Sequence, residues 1–292
     1  MIISQIIGGL GNQMFQYAAG RSLSLELRQQ LRLDISGFRK YGLHQGFELH
    51  RVFNCSEAIA TKSDINNILG WRGLPGIKRI LSRPAMALIR NNAFVVEPHF
   101  QYWAGLTQVP IDCYLAGYWQ SEKYFLKKLS LIRTDFIFRN TLTNKNLEFA
   151  QQIAEVNSIS LHIRRGDYVS NKKTNTMHGT CDLDYYYAAI KYISSRVENP
   201  FFFIFSDDIE WARDNLKLNP PYRYVDHNYD KESYNDMHLM SLCRHHITAN
   251  SSFSWWGAWL STGTDKIVVA PKNWFRKSIN TKDLVPSNWY QI

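Results

Sequence analysis

Residues 2–35 read IISQIIGGLGNQMFQYAAGRSLSLELRQQLRLDI. Residues 2–7 are mostly apolar and β-branched, which predicts a strand. The run Gly8-Gly9-Leu10-Gly11-Asn12-Gln13 predicts a turn, and residues 13–29, rich in Ala and Leu, predict a helix. Residues 31–35 supply a second strand. Strand, glycine-rich turn, helix and strand form a βαβ unit, which implies a parallel sheet.

The same rhythm returns in the second half. Strands are predicted at 159–163, 201–205, 223–225, 247–249 and 267–270. Tyr186, Ile190, Ile193 and Val197 fall at helical spacing, and further helices are predicted over 235–242 and 255–260. This is a second doubly wound α/β lobe, in which ligands sit at the carboxyl ends of the strands. Residues 114–119 read as a strand, and 145–156 as a helix linking two lobes, 1–155 and 156–292. A chain of 292 residues is long enough for both.

Lys and Arg number 34 against 25 Asp and Glu, a net charge of 34 − 25 = +9 that favours an anionic partner. A nucleic acid would call for a basic stripe interleaved with aromatics, or an RRM or KH signature, and the sequence has neither. The four cysteines include no CxxC pair, so a cysteine zinc site is disfavoured and a reducing, cytoplasmic compartment is expected. The N-terminus does not read as a signal peptide, and no apolar run is long enough to span a bilayer. Residues 65–96 carry Arg72, Lys78, Arg79, Arg83 and Arg90 and no acid. They read either as a patch that rests peripherally on an anionic membrane or as a solvated helical face. Pro75 and Pro84 are expected to break any long helix there.

Four motifs carry candidate chemistry. Gly11 and Asn12, at a strand-to-helix turn, can bring backbone and amide donors to a phosphate, or simply form a tight turn. The spacing is neither a dinucleotide fingerprint nor a P-loop. In His162-Ile163-Arg164-Arg165-Gly166-Asp167, Arg164 can clamp a diphosphate and Asp167 can orient it or accept a proton. Asp207 and Asp208 can accept from a base or ribose, or cap a helix. Asn250, Ser251, Ser252 and Ser254 can hold a phosphate at a helix start, or cap it. No metal site is expected. Asp182-Leu183-Asp184 precedes a helix and reads as a cap, and His245 and His246 point to opposite faces of a strand.

Taken together, IIGGLGNQMFQYAAGRSL at 6–23, HIRRGDYV at 162–169, MHG at 177–179 followed by YYYAAI, FSDD at 205–208 and ANSSFSWWGAWL at 249–260 resemble the bacterial α-1,2-fucosyltransferases of glycosyltransferase family 11. The resemblance implies a GT-B-like fold of two Rossmann-like lobes with the active site in the cleft between them. It implies GDP-L-fucose as donor, inversion at the fucose anomeric carbon, no metal requirement, and terminal galactosides of surface glycans, free or lipid-linked, as acceptors. By the same resemblance Arg164 holds the diphosphate, His162 lines its pocket, Asp236 pairs with guanine and Asn12 is a phosphate ligand. The family's wider relatives place an acidic base near a position that is Lys172 here, so the base falls to Asp167 or to His178, the latter otherwise an acceptor ligand. A donor carrying another sugar, such as mannose, is the alternative.

Overall fold

The computed structural model describes residues 1–40 and 44–292; the side chains of residues 39, 40, 167, 170, 173 and 174 are outside the described set. The chain divides into two compact units, Met1–Arg139 with Asn280–Leu284, and Asn140–Ile279 with Val285–Ile292.

The first unit grows from the opening βαβ element. β1 (Ile2–Gln5), β2 (Leu31–Asp34), β3 (Ala58–Ile59), β4 (Phe94–Val96) and β5 (Cys113–Ala116) form a parallel sheet in the order β3-β2-β1-β5-β4. Ile2 lies opposite both Leu31 and Cys113, so β1 is covered on both edges and reads as an apolar strand. The first helix spans Leu10–Glu26, so it starts three residues before the expected Gln13 and places Gly11, Asn12 and Gln13 on its first turn. Gly8 turns the chain with φ +81°, a conformation that favours glycine.

The second unit holds β6 (Asn157–Ile163), β7 (Pro200–Ser206), β8 (Tyr222–Val225), β9 (His245–Ile247), β10 (Val268–Ala270) and β11 (Tyr290–Gln291). They are parallel, in the order β11-β10-β9-β6-β7-β8. The first strand of the unit is central, with two successors on one side and three on the other: the Rossmann order, whose switch point lies between β6 and β9. The core joins Ile159, Leu161, Phe202, Ile204 and Ile247 to Tyr186, Ile190 and Ile193 of the helix Leu183–Ser194.

The expected lobe boundary at 155 shifts. The helix Asn144–Glu155 packs within the second unit, where the Phe149 ring meets Phe203 of β7 and carries the Arg223 guanidinium 3.9 Å from its centre. In the 65–96 segment Pro75 opens a helix, Pro75–Leu81, rather than breaking one, as a proline at the first helical position does. Among the described residues no helix is long and apolar enough to cross a membrane.

Candidate functional site

All strands of the second unit end on one edge, so the loops after β6, β7, β8 and β9 and the helices they open converge there. Arg164 and Arg165 follow β6 directly. The Arg164 guanidinium lies 3.0 Å from the Asp207 carboxylate at the end of β7 and 5.4 Å above the Tyr168 ring. Asp207 also accepts the Arg165 backbone N–H at 2.8 Å. A Cβ on Gly166 would collide with the Asp207 carboxylate, so a side chain there would displace it. Arg165 pairs with Asp208 at 3.2 Å and lies 3.8 Å from the centre of the Trp211 ring. Its environment is structural, whereas Arg164 is held between the Asp207 carboxylate and the Tyr168 ring.

Behind Arg164, the His162 ring is 4% exposed and 5.8 Å from Phe253. Burial pushes its pKa down to about 4, with Asp207 opposing and Arg164 reinforcing that shift. The imidazole is therefore neutral near pH 7 and adds no charge beside the arginine. Its Nδ1 has no hydrogen-bond partner among the described residues.

The helix Ser252–Leu260 starts at the end of β9. Its polar residues are committed within the protein, and for Ser251 the commitment is the capping alternative. Asn250, a candidate phosphate donor or cap, donates from Nδ2 to the carbonyls of His178, Gly179 and Trp274 at 3.0–3.3 Å, and its Oδ1 accepts from the Cys181 thiol. Its two N–H groups are fully used, so Asn250 ties the 178–181 loop to β9 instead of reaching a ligand. Ser251 caps the helix through Phe253 N–H, and Ser254 accepts from Ala249 N–H and donates to Ser251. Ser252 is half-buried in the first turn. What this motif offers an anion is the helix N-terminus itself. Asp208 likewise caps the helix Ile209–Asn215 while holding Arg165, so neither Asp207 nor Asp208 is without a partner for a base or ribose to replace.

Asp236 lies in the first turn of the helix Tyr234–Leu242, at the same carboxyl edge. Its carboxylate accepts from Asn228 at 2.8 Å. Burial pushes its pKa up to about 7, against the opposing pull of that bond. His178 stacks on Tyr168, ring centres 4.9 Å apart, and contacts Phe275 at 5.1 Å. The side chain of Asp167 lies outside the described residues. Asp182 accepts the Tyr185 N–H as an N-cap. His246 bonds Ser160 and His245 accepts from Ile267 N–H, on opposite faces of β9. Trp255 and Trp256 are fully buried core residues.

The first unit carries its own cluster at the carboxyl ends of β1, β4 and β5. Gln120 donates to Asn12 Oδ1 at 2.6 Å, which turns the NH₂ end of Asn12 toward Gly8. Gln13 bolts the turn down by donating to Gly8 and Gly46 and accepting from Glu48 N–H. Sequence reasoning missed Glu97. Its two carboxylate oxygens accept the Tyr118 and Trp119 N–H groups at 2.7 and 3.0 Å. Burial raises its pKa to about 7, while those two bonds pull it down. It shapes the loop that delivers Gln120 to Asn12. The only sequence signal was Gly117, where a Cβ would stand 2.5 Å from that of Glu97.

The family model for Glycosyl transferase family 11 matches residues 98–292. The chain belongs to glycosyltransferase family 11. An alpha-1,2-colitosyltransferase of Escherichia coli is 36% identical to this family 11 chain, covering 100% of it and 99% of the relative. The O-antigen biosynthesis glycosyltransferase WbnK of Escherichia coli is 34% identical, covering 99% of each. The fucosyltransferase NodZ from Bradyrhizobium has the same fold, with a TM-score of 0.53 at 16% identity, over 90% of this chain and 95% of that one. That likeness supports the GT-B-like reading of two parallel-sheet units.

Proposed function

We propose that this family 11 glycosyltransferase is a galactoside α-1,2-fucosyltransferase. It moves L-fucose from GDP-L-fucose to the 2-hydroxyl of a terminal galactoside in surface glycan, O-antigen, synthesis. The observation that carries the reading is that Arg164 and neutral His162 stand at the carboxyl end of β6 in the Rossmann-order sheet, with the His162 ring 5.8 Å from Phe253 in the first turn of the Ser252–Leu260 helix. Breaking the fucose C1–O bond leaves negative charge on the departing GDP. A guanidinium and a helix dipole at that position stabilise it without a metal. Gly11 and Asn12 of the first unit are assigned to phosphate and Asp236 to guanine. The acceptor O2 attacks C1 from the opposite face, giving inversion, and its proton passes to a base. Asp167 and His178 are the two candidates for that base.

A second reading concerns the sugar. The 36% identical relative is a colitosyltransferase, and colitose is L-fucose without its 3-hydroxyl. GDP-L-fucose, GDP-colitose and GDP-mannose are therefore offered in parallel against galactose-terminated acceptors, with EDTA present, and product linkage is read by NMR. The expected result is an α-1,2-fucosylated galactoside formed at an undiminished rate with EDTA. Loss of turnover on chelation with rescue by Mn²⁺ would reassign Asp182 and Asp184 as ligands and remove the metal-independent mechanism. Preferential use of GDP-colitose or GDP-mannose would keep the site and change the substrate.

The guanine assignment predicts a pH signature. The ionised Asp236 carboxylate accepts from two guanine N–H donors together, which the protonated carboxyl does not, and in the free protein its pKa is raised to about 7. GDP affinity is expected to rise about tenfold from pH 6 to pH 8. Asp236→Asn should flatten that rise and weaken GDP binding at pH 8 by roughly 1–3 kcal/mol. An unchanged profile in a folded variant, measured by calorimetry, removes Asp236 from the site. Folding shows the opposite sign. A carboxyl raised above its ordinary 3.8 contributes stability that is complete below that value and declines as pH climbs toward 7.

A further inference from the structure

Between the helix Lys62–Leu69 and β4, the chain packs as three short helical pieces in the first unit, Gly70–Gly73, Pro75–Leu81 and Pro84–Ile89. Their inward face is already filled. Leu81 joins Ile65, Leu69 and Phe94 in the core, and Lys78 is buried against Asp34 and Tyr114. The outward face is unusual for a protein surface. Leu88 is 99% exposed and Trp71 55%, and Leu74, Ile80 and Ile89 are each about half exposed. On the Pro75–Leu81 helix, Arg79 and Ile80 lie exposed opposite buried Lys78 and Leu81. Arg83, one turn after Arg79, is exposed as well. No acidic residue occurs between Ile65 and Val96. The surface is held in shape by backbone ties, Arg72 to the Ile89 carbonyl and Arg90 to the Arg83 carbonyl.

We propose that residues 71–90 form a docking surface for an anionic lipid bilayer. Trp71, Leu74, Ile80 and Leu88 enter the headgroup–acyl boundary, and Arg79 and Arg83 meet lipid phosphates. The combination decides the partner. Apolar side chains gain by leaving water, and arginines without local acids gain at a negative surface. A tryptophan suits that interface because its ring is apolar and its N–H polar. Lys78 contributes differently from the sequence expectation: it fastens the helix to the sheet instead of touching the membrane. The proposal concerns the first unit alone and holds whichever sugar the enzyme transfers.

The test uses the full chain and sedimentation with vesicles of phosphatidylcholine alone or with about 30% phosphatidylglycerol. Binding to the anionic vesicles is expected to exceed binding to neutral ones by at least about tenfold at low salt, and to weaken as salt rises. Arg79→Glu with Arg83→Glu, and separately Leu88→Ser with Trp71→Ser, should each lower vesicle binding by about tenfold. Melting temperature and turnover on a soluble acceptor should be unchanged in both, since these side chains are exposed and none belongs to the candidate site. Three results would overturn the proposal: no binding to anionic vesicles, equal binding to neutral ones, or binding that both double variants retain. A dimer in solution that Leu88→Ser dissolves, without vesicle binding, would also overturn it and make the patch a contact between copies.

Discussion

Arg164→Ala is expected to lower kcat by about 10²–10³-fold, or roughly 2.7–4 kcal/mol of transition-state stabilisation. The guanidinium stands at the end of β6, balanced by Asp207 at 3.0 Å, where a departing diphosphate would develop charge. An interaction that strengthens as charge grows acts on the chemical step more than on donor binding, so donor KM should change less than kcat. Arg164→Lys should also be badly impaired, because an ammonium lacks the planar fork that meets two oxygens together. Arg165→Ala should behave differently. Arg165 lies over Trp211 and pairs with Asp208, so its loss should lower the melting temperature along with activity. The measurement is kcat, donor KM and melting temperature for the three variants. Near-normal turnover by a stable Arg164→Ala enzyme would overturn the mechanism.

Lys78→Ala is expected to destabilise the protein by about 3–5 kcal/mol, a loss on the order of 10 °C in melting temperature. Lys78, Asp34 and Tyr114 are all buried, and Tyr114 donates to Asp34 at 2.6 Å while the lysine ammonium bonds both. Burial alone would push the Asp34 carboxyl up. The Lys78 charge and the side-chain bonds from Lys78, Tyr114 and Ser36 outweigh it, and the carboxyl lies below its ordinary value. Removing the ammonium strands a charge in the core. Removing both charges together, in Lys78→Met with Asp34→Asn, should recover most of the loss, because the stranded charge is then gone. With the pair intact, its stabilisation persists above the ordinary carboxylate pKa and fails as pH falls through the lowered value. A Lys78→Ala protein that melts like the parent would show that the triad carries little of the fold's stability.

The parts of this architecture that periodicity marks were legible in the sequence. Apolar strands such as β6 and β7, ending in Arg164 and Asp207, announced a parallel sheet and the edge where its loops gather. β3, β4 and β11 were not legible, because two or three residues do not establish an alternation, and β3 is exposed on both its residues. The lobe boundary was misplaced because the helix Asn144–Glu155 carries no mark of which sheet it joins; Phe149 against Phe203 decides that only in three dimensions. For the site, residue type pointed to Arg164, but it did not distinguish a hydroxyl or amide facing a ligand from one holding a turn. The Ser251 cap follows the ordinary N-cap spacing, whereas Asn250 and Ser254 have sequence-distant or backbone partners that no spacing rule reports. Glu97 escaped for the same reason, since its partners are main-chain groups more than twenty residues away.

Residues 280–284 return to the first unit before 285–292 complete the second. In that return Asp283 accepts the Tyr102 N–H and pairs with Lys123 at 2.6 Å, and the chain then supplies β11 beside β10. Neither unit is therefore a contiguous gene segment. A chimera that exchanges units between two family 11 enzymes cannot use a single splice near 140. It needs junctions at 139/140, 279/280 and 284/285, and a single-splice chimera would pair each parent's Asp283 segment with a foreign Lys123 loop. Recombination libraries for retargeting these enzymes should be cut at those three points.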